Sequence, residues 1–134
     1  MSNDIKQQRA SSIVKICNAL STNWSGETSY CDDWSSSNPS SGQCAVSALV
    51  LQDYCGGEIR RCVVAGTPHY FNRIDGQVVD STAAQFGTVA INYDTSTARS
   101  RQRILRHADT RQRYELLKGR VKETMWVRNR KEIR

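Results

Sequence analysis

Three residues that together support thiol chemistry occur in one order along this chain: Cys44, His69 and Asp80. A cysteine thiolate is a strong nucleophile, an imidazole can take up and return its proton, and a carboxylate can hold that imidazole in one tautomer. Such a set can transfer or hydrolyse an acyl group through a thioester. The chemistry depends on whether the surrounding elements bring the three side chains together.

Cys44 directly follows a glycine and a glutamine and opens the run 44–52, which is apolar almost all round. This pattern predicts a buried central helix at residues 42–55, and the pair Gly56-Gly57 would end it. Free backbone N–H groups at a helix start favour a thiolate and can stabilise an oxyanion. The alternative is that Cys44 is only a small buried hydrophobe.

His69 and Asp80 lie on two short runs joined by Asp75-Gly76, a strong signal for a two-residue hairpin turn. With that turn Ile74 faces Gln77, and Asp80 lies on the same face as His69, one diagonal step away. The carboxylate would then accept a hydrogen bond from the imidazole. A bulge would reverse the face, and a structural histidine with a strand-end aspartate is the alternative.

The wider pattern predicts an α+β fold in a single domain, residues 1–134, with a central helix packed on a small antiparallel sheet. Four segments make it up: an N-terminal helix at 5–20, the central helix at 42–55, antiparallel strands within 59–82, and basic helices within 96–130. In the last segment we expect Ser96 to cap one helix and Asp109 the next. Residues 21–41 are predicted to be a loop, and residues 83–95 an irregular connection.

The charge is unevenly distributed. Residues 1–98 contain six Lys/Arg and nine Asp/Glu, whereas residues 99–134 contain thirteen and four, so the net charge of +6 comes from the tail. A basic segment can bind nucleic acid. The tail's charges are interleaved with the apolar stripe of Tyr114, Leu117, Val121 and Met125, which favours a solvated helix face, and we expect no nucleic-acid partner.

Composition excludes several other classes of protein. No stretch approaches the roughly 18 apolar residues of a membrane span, and no secretory signal pattern opens the sequence, so we expect a cytoplasmic protein without a membrane partner. The five cysteines are an odd number and form no C-x-x-C pair. A disulfide framework and a structural zinc site are therefore not expected, and we predict no metal and no cofactor.

The sequence resembles the YunG family over nearly its whole length, and this resemblance implies a small bacterial or phage-type protein of undefined function. The blocks that carry it are Gly42-Gln43-Cys44 with the helix that follows, Gly56-Gly57-Glu58-Ile59, His69-Tyr70-Phe71-Asn72-Arg73, Val79-Asp80-Ser81-Thr82, Gln85-Phe86, Asp109 to Leu117, and Trp24-Ser25 with Glu27-Thr28. A wider similarity in chain order to papain-like and transglutaminase-like cysteine enzymes implies Cys44 as nucleophile, His69 as base and Asp80 as the residue that orients it.

Two further residues are candidates for the substrate-binding part of this site. Papain-like enzymes place a glutamine several residues before the cysteine to complete the oxyanion hole, whereas here Gln43 is directly adjacent. Gln43 could still supply that donor if the loop turns it, and the Trp24 indole or Asn23 amide are alternatives.

Arg73 is the third candidate for substrate binding. It has the same strand parity as His69, so its guanidinium could bind a substrate carboxylate or phosphate. Pairing with a nearby carboxylate, Asp75 or Glu58, is the structural alternative.

Two functions therefore remain open. The first is a thiol-dependent hydrolase or acyl transferase of the amidase, peptidase or deamidase type, acting on an amide, peptide or acyl substrate. The second is a non-catalytic module that binds a ligand or protein on the same fold, with the loop between Trp24 and Trp34 holding the ligand. Reactivity of the Cys44 thiol separates the two.

Overall fold

The computed structural model describes residues 3–133 and the side-chain surroundings of residues 4–131. The fold is α+β, with four helices and one small antiparallel sheet of four strands. In chain order the elements are α1 (Asn3–Asn23), α2 (Cys44–Cys55), β1 (Glu58–Val64), β2 (Thr67–Ile74), β3 (Gln77–Val79), β4 (Thr97–Arg99), α3 (Arg101–Ile104) and α4 (Ala108–Ile133). Short 3-10 turns lie at Ala83–Phe86 and Tyr93–Thr95.

The sheet has the strand order β3-β2-β1-β4, and every neighbouring pair is antiparallel. The β2–β3 hairpin has the register predicted from Asp75-Gly76, because Ile74 pairs with Gln77 and Asn72 with Val79. Asp75 has φ of +53° and Gly76 of +75°, which are the left-handed values that this turn type requires. The predicted alternation of faces along β2 and β3 is confirmed.

The central helix α2 is buried along most of its length because its sequence is apolar on all sides. Val46 to Leu51 are all buried, and Asn72 of β2 donates a hydrogen bond from Nδ2 to the Ala48 carbonyl oxygen at 3.0 Å. Helices α1 and α4 cover the side of α2 that faces away from the sheet. Packing of α2 against β2 fixes the start of this helix relative to the strand that carries His69.

The opposite face of the sheet has a smaller apolar cluster of its own. Cys62, Val64 and Phe71 are buried there against Phe86 and Tyr93 of the 83–95 connection. The connection, which the sequence presented as irregular, thus folds over the strand that bears His69 and closes that side of the site.

The C-terminal third differs from the prediction. Residues 97–99 form strand β4 on the edge of β1, and Ser96 does not cap the start of an α-helix: its hydroxyl and carbonyl oxygens accept hydrogen bonds from Arg60 at 2.8 and 2.7 Å. Ser100 caps the short helix α3 by accepting from the Arg103 N–H. Asp109 lies inside the first turn of α4. The three-residue strand exists only through its pairing with β1, which local patterning does not reveal.

Helix α4 packs on the body through the stripe that the sequence predicted. Tyr114, Leu117 and Val121 are buried and join the main core, with Met125 partly buried beside them. Across residues 3–133, none of the helices combines the length and the apolar character needed to cross a membrane.

Candidate functional site

Cys44 is the first residue of α2, and a tight loop brings it there. Gly42 has φ of +72°, and its carbonyl oxygen accepts a hydrogen bond from the Tyr30 N–H at 2.9 Å. A Cβ on Gly42 would collide with the Ser29 hydroxyl oxygen. Glycine is therefore required where two loop segments meet, immediately before the helix that presents the Cys44 thiol.

His69 and Asp80 form a buried pair. The His69 Nε2 lies 2.7 Å from Asp80 Oδ2, and the two side chains are 0% and 5% exposed. Asp80 also accepts hydrogen bonds from the Tyr93 hydroxyl at 2.8 Å and from the Thr82 backbone N–H at 3.3 Å. These donors hold the carboxylate against the imidazole, and its placement follows from the confirmed hairpin register.

The other ring nitrogen of His69, Nδ1, is buried and has no hydrogen-bond partner among the described residues. Cys44 is near enough to the imidazole to affect its pKa. Burial lowers the pKa of His69, but interactions with Asp80 and with the nearby Cys44 thiol outweigh burial and raise that pKa to about 9. The imidazole is thus held by the carboxylate through Nε2, and Cys44 is a second neighbour that favours its charged form.

Two aromatic residues of the site were not predicted as site residues, because they lie in the irregular connection. Phe86 packs edge-on against the His69 ring, with centroids 4.8 Å apart, and Tyr93 both contacts Phe71 and donates to Asp80. Burial and the bond to Asp80 raise the pKa of Tyr93, so this hydroxyl stays protonated as a donor. Phe86 and Tyr93 are the two aromatic residues of this connection, which was the available signal.

The structure does not bring the proposed substrate-binding residues Gln43 and Trp24 to the thiol's open side. Gln43 is fully buried, and its Nε2 donates to the Ser25 carbonyl oxygen at 3.0 Å. The Trp24 indole donates to the Ser47 hydroxyl at 2.9 Å, and Asn23 donates to the Ala19 carbonyl and the Thr124 hydroxyl. Their donors are engaged in holding the loop and helices together.

Arg73 is also directed elsewhere. Its nearest acidic partner is Glu58, with Nη1 3.9 Å from Oε1, and Asp75 pairs instead with Arg9. The arginine lies opposite Glu58 in the β1–β2 ladder, which explains the pairing. Arg73 therefore lies beside a carboxylate, as expected if its role is structural.

A cleft of about 620 Å³ opens beside Cys44. This volume falls in the range of small-molecule sites. The lining combines the start of α2, one face of the sheet and the α3–α4 corner, and its residues are Tyr30, Cys31, Gly42, Cys44, Ala45, Arg61, Thr67, Pro68, Tyr70, Gln85, Arg99, Arg103, Ile104, His107, Asp109, Thr110 and Arg113.

The backbone supplies donors at the same place. The first N–H groups of a helix lack intrahelical partners, and Cys44 and Ala45 both line the cleft at the first turn of α2. These N–H groups can stabilise negative charge that develops on an oxygen next to the thiol. Within the part of the chain that the structure describes, no group of three His, Cys, Asp or Glu side chains is arranged to hold a metal ion.

The chain is similar to known proteins of one family. The family model described as YunG protein matches residues 12–126. The chain is similar to an uncharacterised protein YunG of Bacillus subtilis (strain 168), with 43% identity over 67 residues, which is 50% of this chain and 56% of that protein. The match thus spans a little over half the length of that relative. No solved structure matches the chain.

Proposed function

The chain belongs to the YunG family, and we propose that it is a thiol-dependent hydrolase or acyl transferase built on a papain-like core. The observation that carries the proposal is the buried pair of His69 and Asp80, 2.7 Å apart, together with the interaction of this imidazole with Cys44 that helps to raise its pKa. Burying a polar pair in a small core costs free energy, which is more readily explained by chemistry than by stability.

The papain-like part of the proposal rests on the arrangement of elements. The cysteine opens a central helix, the histidine lies on the second strand of an antiparallel sheet packed on that helix, and the aspartate directly follows the next strand. The helix start supplies backbone donors to the same cleft. This order matches the order of roles in papain-like enzymes, with Asp80 as the residue that orients the imidazole.

Acylation begins with the Cys44 thiolate. Because the pKa of His69 is raised to about 9, the imidazole is protonated at neutral pH, and its charge would stabilise the thiolate that attacks. Sγ attacks the carbonyl carbon of an amide, peptide or thioester, and the oxyanion that forms is stabilised by N–H groups at the start of α2. His69 Nδ1 gives its proton to the leaving group as the carbon–leaving-group bond breaks.

Deacylation regenerates the site. His69, now neutral, takes a proton from water as the water oxygen attacks the acyl-thioester carbon, and Cys44 leaves as thiolate while the acid product forms. If an amine or alcohol replaces water, the same step is acyl transfer. The Asp80 charge stabilises the imidazolium in both half-reactions.

The surroundings of the thiols support a cytoplasmic location. The five cysteines are all free, which fits a reducing compartment, where thiols persist. We therefore propose that the substrate is an amide, peptide or thioester of the cytoplasm.

A binding module without chemistry is the second candidate function. The cleft beside Cys44 could hold a ligand even if the thiol were inert. The Trp24–Trp34 loop contributes to that alternative through Tyr30 and Cys31, which line the cleft, whereas the Trp34 indole donates to the Pro39 carbonyl oxygen at 2.9 Å and the Trp24 indole to Ser47.

We expect Cys44 to be alkylated by iodoacetamide at pH 7 at least about 10-fold faster than any other cysteine. Burial raises the pKa of Cys17 to about 11 and raises the pKa values of Cys55 and Cys62, so these thiols should react slowly. The measurement is the rate of modification of each cysteine, followed by peptide mass spectrometry.

Cys31 needs a control of its own because it also lines the cleft. The rates should therefore be repeated in a Cys31→Ser variant, and in His69→Gln, which removes the proposed imidazolium and should slow Cys44 alone. Equal rates for Cys44 and the buried thiols, or no effect of His69→Gln, would leave the binding module as the better function. A fast Cys44 would justify a screen of amides and thioesters.

A further inference from the structure

The cleft beside Cys44 has a positive charge that nearby carboxylates do not neutralise. Arg61, Arg99 and Arg103 all line it, and none of them has an ion pair with an acidic side chain within residues 4–131. Arg99 has a single long hydrogen bond, from Nη1 to the Thr97 hydroxyl at 3.3 Å. These guanidinium groups keep most of their donors free.

The sheet register explains why two of these arginines are together. Arg61 pairs with Thr97 and Ile59 pairs with Arg99, so Arg61 and Arg99 are diagonal neighbours on one face of β1 and β4. Tyr70, directly opposite Arg61 on β2, lines the same cleft. Like charges on adjacent strands repel each other, so this arrangement costs stability unless an anion lies between them.

Arg103 and His107 extend the basic lining from the α3–α4 corner. Arg113 lies in the same wall but is already satisfied, because it is buried and donates to Asp109 Oδ2 at 3.3 Å and to the Thr110 hydroxyl at 3.2 Å. Asp109 is thus occupied by Arg113. The unneutralised charge is that of Arg61, Arg99 and Arg103.

We propose that this cleft selects a substrate that carries a carboxylate or phosphate, which Arg61, Arg99 and Arg103 bind while its acyl carbon lies at Cys44. The inference rests on the proposed function for its chemistry, and it adds the substrate class. Arginine suits either oxyanion because its planar fork donates two parallel hydrogen bonds. Part of the tail's net charge therefore serves this site.

A small anionic molecule or a short peptide fits the cleft better than a nucleic acid does. A cleft of about 620 Å³ accommodates a drug-sized molecule. The three arginines line this one cleft, whereas proteins that bind single-stranded nucleic acid present an extended positively charged groove. A titration with an oligonucleotide tests whether the cleft binds a nucleic acid instead.

The test compares an anionic and a neutral reagent of nearly the same size, iodoacetate and iodoacetamide, at Cys44. In both reactions an Sγ–carbon bond forms as the carbon–iodine bond breaks and iodide leaves. In the variant with Arg61, Arg99 and Arg103 all changed to Gln, we expect the rate ratio of iodoacetate to iodoacetamide to fall about 10-fold. The wild-type ratio should also fall as salt is added, because added ions screen the attraction.

The matched control removes three charges elsewhere, with Lys6, Lys122 and Lys131 changed to Gln, since these exposed lysines do not line the cleft. Its ratio should stay at the wild-type value. An arginine variant that reacts with iodoacetamide normally and keeps the wild-type ratio would overturn the inference while leaving the thiol enzyme intact. Single Arg61→Gln and Arg99→Gln variants, each expected to lower the ratio about 2- to 3-fold, serve if the triple variant does not fold.

Measurements of direct binding test the anion site even if Cys44 has no catalytic function. If Cys44 reacts with neither reagent, titrations of the folded wild-type chain with succinate, inorganic phosphate and an eight-residue oligothymidylate still test the cleft by calorimetry. Binding of succinate or phosphate that is lost in the arginine variant supports the inference and shows which anion is preferred. No binding of either, or tighter arginine-dependent binding of the oligonucleotide alone, would overturn it.

Discussion

We expect the stability of the wild-type chain to fall between pH 6.5 and 9, and the Asp80→Asn variant to lose this fall. In the folded chain the pKa of His69 is raised from 6.5 to about 9. A raised pKa adds stability that is fully present below pH 6.5 and is lost as the pH rises through 9. The difference corresponds to about 3 kcal/mol of the free energy of unfolding. Urea titrations at half-unit pH intervals measure it.

Without the Asp80 charge, burial becomes the dominant effect on the pKa of His69 and lowers it. The free energy of unfolding of the variant should therefore no longer fall across this pH window. The free thiols complicate the wild-type curve, because the raised pKa values of Cys17, Cys55 and Cys62 also reduce stability at high pH. Cys17 and Cys55 do so equally in both chains, but the Asp80 charge is one cause of the raised pKa of Cys62. Both curves are therefore measured in a Cys62→Ala background, where their difference isolates the pair. Parallel curves would argue against a charged His69 and hence against the resting ion pair.

The Gly42→Ala variant is expected to lower the free energy of unfolding by about 3 kcal/mol and to slow alkylation of Cys44. Gly42 has φ of +72°, and its new Cβ would collide with the Ser29 hydroxyl oxygen and lie 2.8 Å from the Cys31 backbone nitrogen. Backbone cannot move aside as a flexible side chain can, so the loop that leads into α2 must shift. Urea unfolding and the iodoacetamide rate at Cys44 give the two readouts.

Gly66→Ala is the matched control, since Gly66 has a similar φ of +81° but no atom within 4 Å of the position that a Cβ would take. It should cost about 1 kcal/mol, which is the strain of the backbone conformation alone. A loss in Gly42→Ala no larger than in Gly66→Ala would show that the loop before Cys44 is free to adjust, and the site would then be less rigidly placed than the contacts indicate.

Local pattern was sufficient for the elements at the centre of the site. The run after Cys44, apolar almost all round, favoured a buried helix, and Asp75-Gly76 predicted a hairpin whose two-residue period placed Asp80 beside His69. Both inferences depend on residues close together in the sequence, where geometry has few alternatives. The apolar stripe of α4 was interpreted correctly for the same reason.

Features that depend on distant segments could not be inferred in this way. Strand β4 forms because β1 offers an edge, not because Thr97–Arg99 has a strand pattern, and the Ser96 cap was wrong as a result. Gln43 and Trp24 have plausible donors for the site, but their donors are bound to Ser25 and Ser47. Which partner a side chain meets is set by packing, not by its type.

The sequence by itself determined the thiol, the imidazole and the carboxylate, the helix and hairpin that carry them, and the concentration of positive charge in the last third of the chain. Only the tertiary structure decided that Tyr93 holds Asp80 and that Arg61, from the acidic part of the chain, meets Arg99 and Arg103 in one cleft. The physical reason is that hydrogen bonds within a turn or hairpin follow local geometry, whereas a cleft is made by elements that meet only when the core packs.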